Sequence, residues 1–245
     1  MMPLRWLPIL ASLVLGACGG DQGVKTEAAK DSRADLYVQI AAEYYRLGEI
    51  EPALINARKA LAMDPNSAQA HQVIATLYQQ LKQPDLAEQH FRTALGLSPD
   101  DPYLLIAWGN FLCDRGDHAG AAAQYQNALA TPLFRAPWLA ETRAGICARR
   151  AGNPVQAEQS LRRALAAKPG FAPALLEMAD LEQDQGRHRS ARSYLERYFR
   201  SGVGGPRPLA LGIRIERALG SASGARRYED LLRQNYPDSP ELQSL

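Results

Sequence analysis

The residues of this chain that could carry chemistry are three cysteines, four histidines and one close carboxylate pair. A thiol can accept an acyl group, bind a metal, attack a carbonyl or pair in a disulfide, and its position decides which. Cys18 stands alone at the end of an apolar N-terminal run, while Cys113 and Cys147 lie 34 residues apart in the body of the chain. The histidines, His71, His90, His118 and His188, are scattered. None has metal-site spacing to another histidine or to a cysteine, so surface or interhelical roles are expected and no metal is. Glu177 and Asp180 fall three apart on one helix. Paired acid–base carboxylates need a pocket around them, and Glu177 reads instead as an outward-facing helix residue. Nucleophile elbow, phosphate loop and zincin motif are all missing. The expectation is a protein that is not an enzyme, with no cofactor and no small-molecule substrate.

Those groups have to be positioned by helices. Ala and Leu are abundant, both strong helix formers without β-branching. The net charge of +2 gives no basic field of the kind that attracts nucleic acid. At the N-terminus, MMPLRWLPILASLVLGAC places Arg5 before an apolar stretch from Trp6 to Leu15. That stretch falls well short of the roughly 20 residues needed to span a bilayer, so residues 1–17 read as a cleaved signal. Leu15-Gly16-Ala17-Cys18 resembles the bacterial lipobox. The resemblance implies that Cys18 receives diacylglycerol, with the small Gly16 and Ala17 giving the peptidase access. Gly19 follows in place of the aspartate that retains such proteins at the inner membrane. A lipid-anchored protein on the periplasmic face of the outer membrane is therefore expected. Residues 18–33 lack apolar periodicity and read as the lipidated cysteine followed by a flexible tether.

Internal repetition dominates the rest, residues 34–240. Pro65 and Pro99 are 34 residues apart, and Pro169 lies 70 further on. Each ends a similar phrase: ARKALAMDP, FRTALGLSP and LRRALAAKP. Small residues recur upstream at Ala53, Ala87 and Ala157 and again at Ala60, Ala94 and Ala164, where two helices must approach closely. Turns fall at Leu47-Gly48-Glu49, Lys82-Gln83-Pro84, Arg115-Gly116-Asp117, Ala151-Gly152-Asn153 and Gln185-Gly186-Arg187. This pattern resembles the tetratricopeptide repeat. Units are laid out over about 34–67, 68–101, 102–137, 138–171 and 172–205, with a degenerate hairpin at 206–238. The third unit is lengthened around Thr131-Pro132-Leu133-Phe134. The fold class expected is all-α: an α-solenoid superhelix of five to six helical hairpins with a concave face.

In such repeats the second, fifth, ninth and twelfth positions of each first helix face the groove. The partner-binding candidates are accordingly Val38, Ala42, Tyr45, Gln72, Thr76, Gln79, Tyr103, Ile106, Asn110 and Ile146. Packing between hairpins is the competing role for Val38, Tyr45, Tyr103 and Ile106. No basic clamp of the kind that grips a chaperone's C-terminal carboxylate is visible among these positions. Cys113 takes position twelve of one first helix and Cys147 position ten of the next. Those helices stand side by side, so a disulfide is predicted if the Cα atoms come within about 7 Å; two separate buried thiols are the alternative.

Beyond the generic repeat, several strings are similar to the type IV pilus biogenesis lipoproteins of the PilF/PilW family. They are Gly109-Asn110-Phe111-Leu112-Cys113, Thr131-Pro132-Leu133-Phe134, Ala144-Gly145-Ile146-Cys147, Leu175-Leu176-Glu177-Met178-Ala179-Asp180 and Leu209-Ala210-Leu211-Gly212-Ile213-Arg214-Ile215. The last string stands in an otherwise degenerate hairpin, where the repeat does not require it. The resemblance implies a pilotin: an outer-membrane lipoprotein, anchored by its acyl chains, that helps pilus secretin subunits reach the membrane and oligomerise. The alternative is a repeat lipoprotein scaffold for another envelope machine, such as outer-membrane protein insertion or polysaccharide export.

Overall fold

The computed structural model describes residues 21–132 and 134–244, and the expected signal segment with Cys18 lies outside the described residues. Thirteen helices and no strand are present among them: α1 (Asp21–Arg46), α2 (Ile50–Met63), α3 (Ala68–Gln80), α4 (Pro84–Leu97), α5 (Pro102–Asp114), α6 (His118–Ala130), α7 (Pro137–Arg150), α8 (Pro154–Ala167), α9 (Ala172–Asp184), α10 (His188–Arg200), α11 (Pro206–Ala218), α12 (Ala222–Asn235) and the short α13 (Pro240–Gln243). They pair as six antiparallel hairpins. Each second helix also meets the first helix of the next hairpin, and successive first helices touch along the concave side. The result is a tetratricopeptide superhelix. No described helix is long and apolar enough to cross a membrane.

Local chemistry sets the boundaries. The second helices α2, α4 and α8 stop at Asp64, Ser98 and Lys168, whose N–H groups bond back to the carbonyls of Ala60, Ala94 and Ala164. Proline follows each and cannot continue the helix. Several first helices open on a capping side chain: Ser67 accepts from the Ala70 N–H, and Asp101 from the N–H groups of Tyr103 and Leu104. One expectation is corrected. Residues 21–33 were to be a flexible tether, yet they form the first half of α1. The stretch KTEAAK consists largely of good helix formers, and joined to the helix beyond Ala34 it needs no nucleation of its own.

Packing follows the repeat. Ala53, Ala87, Ala121, Ala157 and Ala191 stand at equivalent places in five second helices, and all are fully buried. Large side chains oppose small ones. A Cβ placed on Gly109 would sit 2.7 Å from the Tyr125 ring, one on Gly145 2.7 Å from Leu161, and one on Gly212 2.8 Å from the Tyr228 ring. The turn between paired helices uses a left-handed residue, glycine at Gly48, Gly116, Gly152, Gly186 and Gly220. In the second hairpin Lys82 takes that place with φ 56°.

Two substitutions should therefore move stability in opposite directions. Lys82→Gly relieves the Cβ clash of a left-handed turn, worth about 1–2 kcal/mol, less the added freedom of the unfolded chain, for a net gain of roughly 0.5–1 kcal/mol. Gly109→Val drives a branched side chain into Tyr125 and should cost about 2 kcal/mol or more. Thermal unfolding midpoints check both; a lowered midpoint for Lys82→Gly would contradict the strain argument.

Candidate functional site

The concave face is built from the first helices, and the repeat period brings residues one unit apart into contact there. Gln80 Nε2 donates to the Tyr45 hydroxyl at 3.2 Å, bridging α3 and α1. Gln79 Nε2 donates to Asp114 Oδ2 at 2.6 Å, and Arg150 donates to Asp114 Oδ1 at 2.5 Å, so Asp114 ties α3, α5 and α7 together. Arg149 pairs with Asp184 at 3.0 Å, carrying the ladder on to α9. Cys113 and Cys147 are joined in a disulfide between α5 and α7, with Cα atoms 5.9 Å apart.

Three hollows among the described residues lie on this face, one of them, of about 430 Å³, over Arg149, Glu177 and Arg207, and two over the groove candidates. The first, of about 350 Å³, is lined by Val38, Ala42, Tyr45, Gln69, Gln72, Val73, Thr76, Asp101 and Tyr103. The second, of about 270 Å³, shares Tyr45 and Thr76 with it and adds Gln79, Asn110, Asp114, Arg143, Ile146 and Arg150. Nine of the ten groove candidates thus line one hollow or both. Ile106 does not: it is buried beside Leu105, Cys113 and Ala140 and packs between hairpins. Tyr103 remains 52% exposed, its ring edge-on to Phe134 of the lengthened junction. Sequence reasoning missed Arg143, because the sixth position of a first helix was not counted as groove-facing.

Further along, the concave face carries a charge network that spacing alone did not reveal. Glu177, read as outward-facing, is only 8% exposed and accepts from Arg149 at 3.2 Å and Arg207 at 2.8 Å. Asp180 is 3% exposed, with Arg207 at 2.5 Å, Arg214 at 3.1 Å and Arg149 at 3.7 Å. The two carboxylates occur together because the arginines of α7 and α11 close over α9 from both sides. Every oxygen in the pair faces a guanidinium, an arrangement suited to holding three hairpins in register.

The histidines sit between helices. His71 Nδ1 and His90 Nδ1 are 2.9 Å apart across the second hairpin. Burial, with added repulsion from His71 and Arg58, holds the His90 imidazole below its usual range. His118 Nδ1 is 3.5 Å from Cys147 Sγ and 3.8 Å from Cys113 Sγ. These three residues form the one group of potential metal-ligand atoms among the described residues, all within 4.8 Å. Bridged sulfurs lack the thiolate a metal needs. Burial pushes the Tyr125 hydroxyl well above its ordinary range, while Arg143 pulls it the other way. The hydroxyl stays protonated and donates to Asn110 Oδ1 at 3.0 Å.

Sequence models of the tetratricopeptide repeat match residues 34–67, 68–101, 106–170 and 148–212. The type IV pilus assembly protein PilF of Pseudomonas aeruginosa is 30% identical over 240 residues, covering 97% of this chain and 95% of that protein. This chain belongs to the PilF/PilW family of tetratricopeptide-repeat proteins. The crystal structure of PilW, described as a widely conserved type IV pilus biogenesis factor, superposes with a TM-score of 0.75 at 37% identity, covering 86% of this chain and 97% of that one. The solved structure of Pseudomonas aeruginosa PilF gives 0.72 at 29% identity, covering 88% of this chain and 97% of that one. In this PilF/PilW-family chain the groove, the disulfide and the charge network all fall within the repeats.

The bridge closes a loop of 34 residues, for which the loss of unfolded-state freedom predicts a stabilisation of roughly 4 kcal/mol. Alkylation of the protein denatured without reductant should label neither Cys113 nor Cys147 until reductant is added. The reduced protein should unfold about 10 °C lower, and an unchanged midpoint would show that the bridge constrains nothing.

Proposed function

We propose that the chain is an outer-membrane lipoprotein scaffold required for type IV pilus assembly, acting as a pilotin that promotes localisation and oligomerisation of the pilus secretin. The observation that carries the reading is end-to-end similarity to PilF, over 97% of this chain. It extends through regions the generic repeat leaves free, including the lengthened junction and the last hairpin. The physical form suits a binder without turnover. Affinity comes from a groove that presents apolar, amide and charged groups along several first helices, and no step consumes the bound partner. This is a protein–protein scaffold, and catalysis has no part in the proposal.

Lipidation at Cys18 supplies location. Because α1 is helical over all the described residues from Asp21 to Arg46, an acyl anchor on Cys18 would hold the first hairpin close to the bilayer. Two or three chains on one cysteine bind firmly, since each buried CH₂ contributes about 0.8 kcal/mol. The secretin subunit held in the groove is then concentrated near the membrane it must enter.

A deletion strain should lose secretin multimers and twitching motility while general outer-membrane protein levels stay normal. Multimers at wild-type abundance would overturn the pilotin role. Cys18→Ala should leave the outer-membrane fraction yet still co-purify with secretin. If that variant still fractionated with the outer membrane, the anchor would have to lie elsewhere.

A further inference from the structure

We infer that the hollow between α3, α5 and α7 is a subsite for a carboxylate of the bound segment, with Arg143 as its charge partner and Asn110 as its neutral donor. The inference rests on the concave face being the partner-binding groove, and it names the chemistry recognised there: an acidic side chain or chain terminus of a protein segment.

The observation that carries it is a mismatch in pairing. Helices α7 and α11 hold six arginines. Five have carboxylate partners: Arg149, Arg150, Arg207, Arg214 and Arg217. Arg143 has none among the described residues. It is exposed, and it lines the 270 Å³ hollow beside Asn110, Asp114 and Arg150. Among the described residues Asp114 is the only acidic group lining that hollow, and Gln79 and Arg150 already occupy its two oxygens. The hollow therefore keeps one uncompensated positive charge.

Its neutral donor is oriented. The Tyr125 hydroxyl, kept protonated by burial, donates to Asn110 Oδ1. That bond turns the Asn110 NH₂ group away from Tyr125 as a free donor at the hollow's wall. The spacing between the two helices is fixed as well. Cys113 lies one turn beyond Asn110 on α5, Cys147 one turn beyond Arg143 on α7, and the disulfide joins them. A guanidinium and an amide on tied helices give a carboxylate a charge-assisted bond and a second, neutral one. Arg143 lies at a position outside the set from which the clamp was sought.

The test is selection from a random 12-residue peptide library on the full chain, in parallel with Arg143→Gln and with Arg92→Gln, a control that removes an exposed charge on α4. Arg143 makes no ion pair among the described residues, so Arg143→Gln should keep the wild-type unfolding midpoint. Wild type and Arg92→Gln should enrich peptides with Asp, Glu or a free C-terminus at one fixed position. Arg143→Gln should lose that preference. In an enriched peptide, replacing the acid with its amide should weaken wild-type binding roughly tenfold and leave binding to Arg143→Gln unchanged. Reduction of the disulfide should narrow that difference. The inference is overturned if no peptide is enriched, if enriched peptides lack a fixed carboxylate, or if the amide peptide weakens equally on both proteins. Secretin plays no part in this selection, so failure of the pilotin role and failure of the subsite are read separately.

Discussion

Every hairpin in this molecule buries its apolar face only by standing against the next, and that stacking depends on helices approaching as closely as alanine and glycine allow. The fully buried alanines of the second helices mark the contact line, where an interior packed at crystal-like density leaves little room for added volume. Where a large ring is needed for volume, as at Tyr125, the opposing position gives up its Cβ at Gly109. Small and large exchange places along the array while the distance between helices stays constant. A constant distance keeps the period constant, and a constant period decides which surface residues become neighbours.

The contacts of the concave face follow from that period. Tyr45 meets Gln80, Gln79 meets Asp114, Asp114 meets Arg150 and Arg149 meets Asp184, each pair separated by 35 or 36 residues. The bridged cysteines are separated by 34. Each joins nearly matching positions, offset by no more than two residues from the repeat period, on adjacent first helices. Such bonds individually contribute little where water reaches them. Their combined effect is register, because sliding one hairpin along the next would break several at once. The buried Glu177 and Asp180 tighten this further. Leaving either without its arginines would strand a charge away from solvent, so α7, α9 and α11 are held to one arrangement.

The sequence made the repeated parts legible and left the pairings between repeats obscure. Pro65, Pro99 and Pro169 and the turn glycines announce themselves, because a chain that must stop or reverse has few residues able to do it. The approach of Cys113 and Cys147 could be anticipated from helix positions alone, since stacked first helices place those positions side by side. Glu177 was misread because outward and inward on a superhelix depend on what the following hairpins bring over it, and Arg207 arrives from 30 residues away. Residues 21–33 were misread for a different reason. Polar composition without apolar periodicity argues against a core helix, but it does not exclude an extension of a helix already nucleated downstream. His118 against the disulfide had no periodic signal at all, because it opens a second helix and reaches sideways across the hairpin.

A groove meant to hold a partner faces a conflict with its own stability. Groups that pair internally rigidify the face but have nothing left to offer a ligand, while groups left free can select a partner only if something else holds them in place. The array divides these tasks along its length. Around Glu177 and Asp180 the charges of Arg149, Arg207 and Arg214 are satisfied within the chain, which fixes the scaffold. Between α3 and α7 the backbone is fixed instead by a disulfide and by Asp114, and this leaves Arg143 and the NH₂ group of Asn110 without a structural partner among the described residues. Preorganisation of this kind lowers the ordering cost that binding would otherwise carry. A solvated guanidinium on a braced helix, with no ion-pair partner among the described residues, adds nothing to folding that a neutral residue could not supply, which is why the proposed subsite assigns Arg143 to recognition.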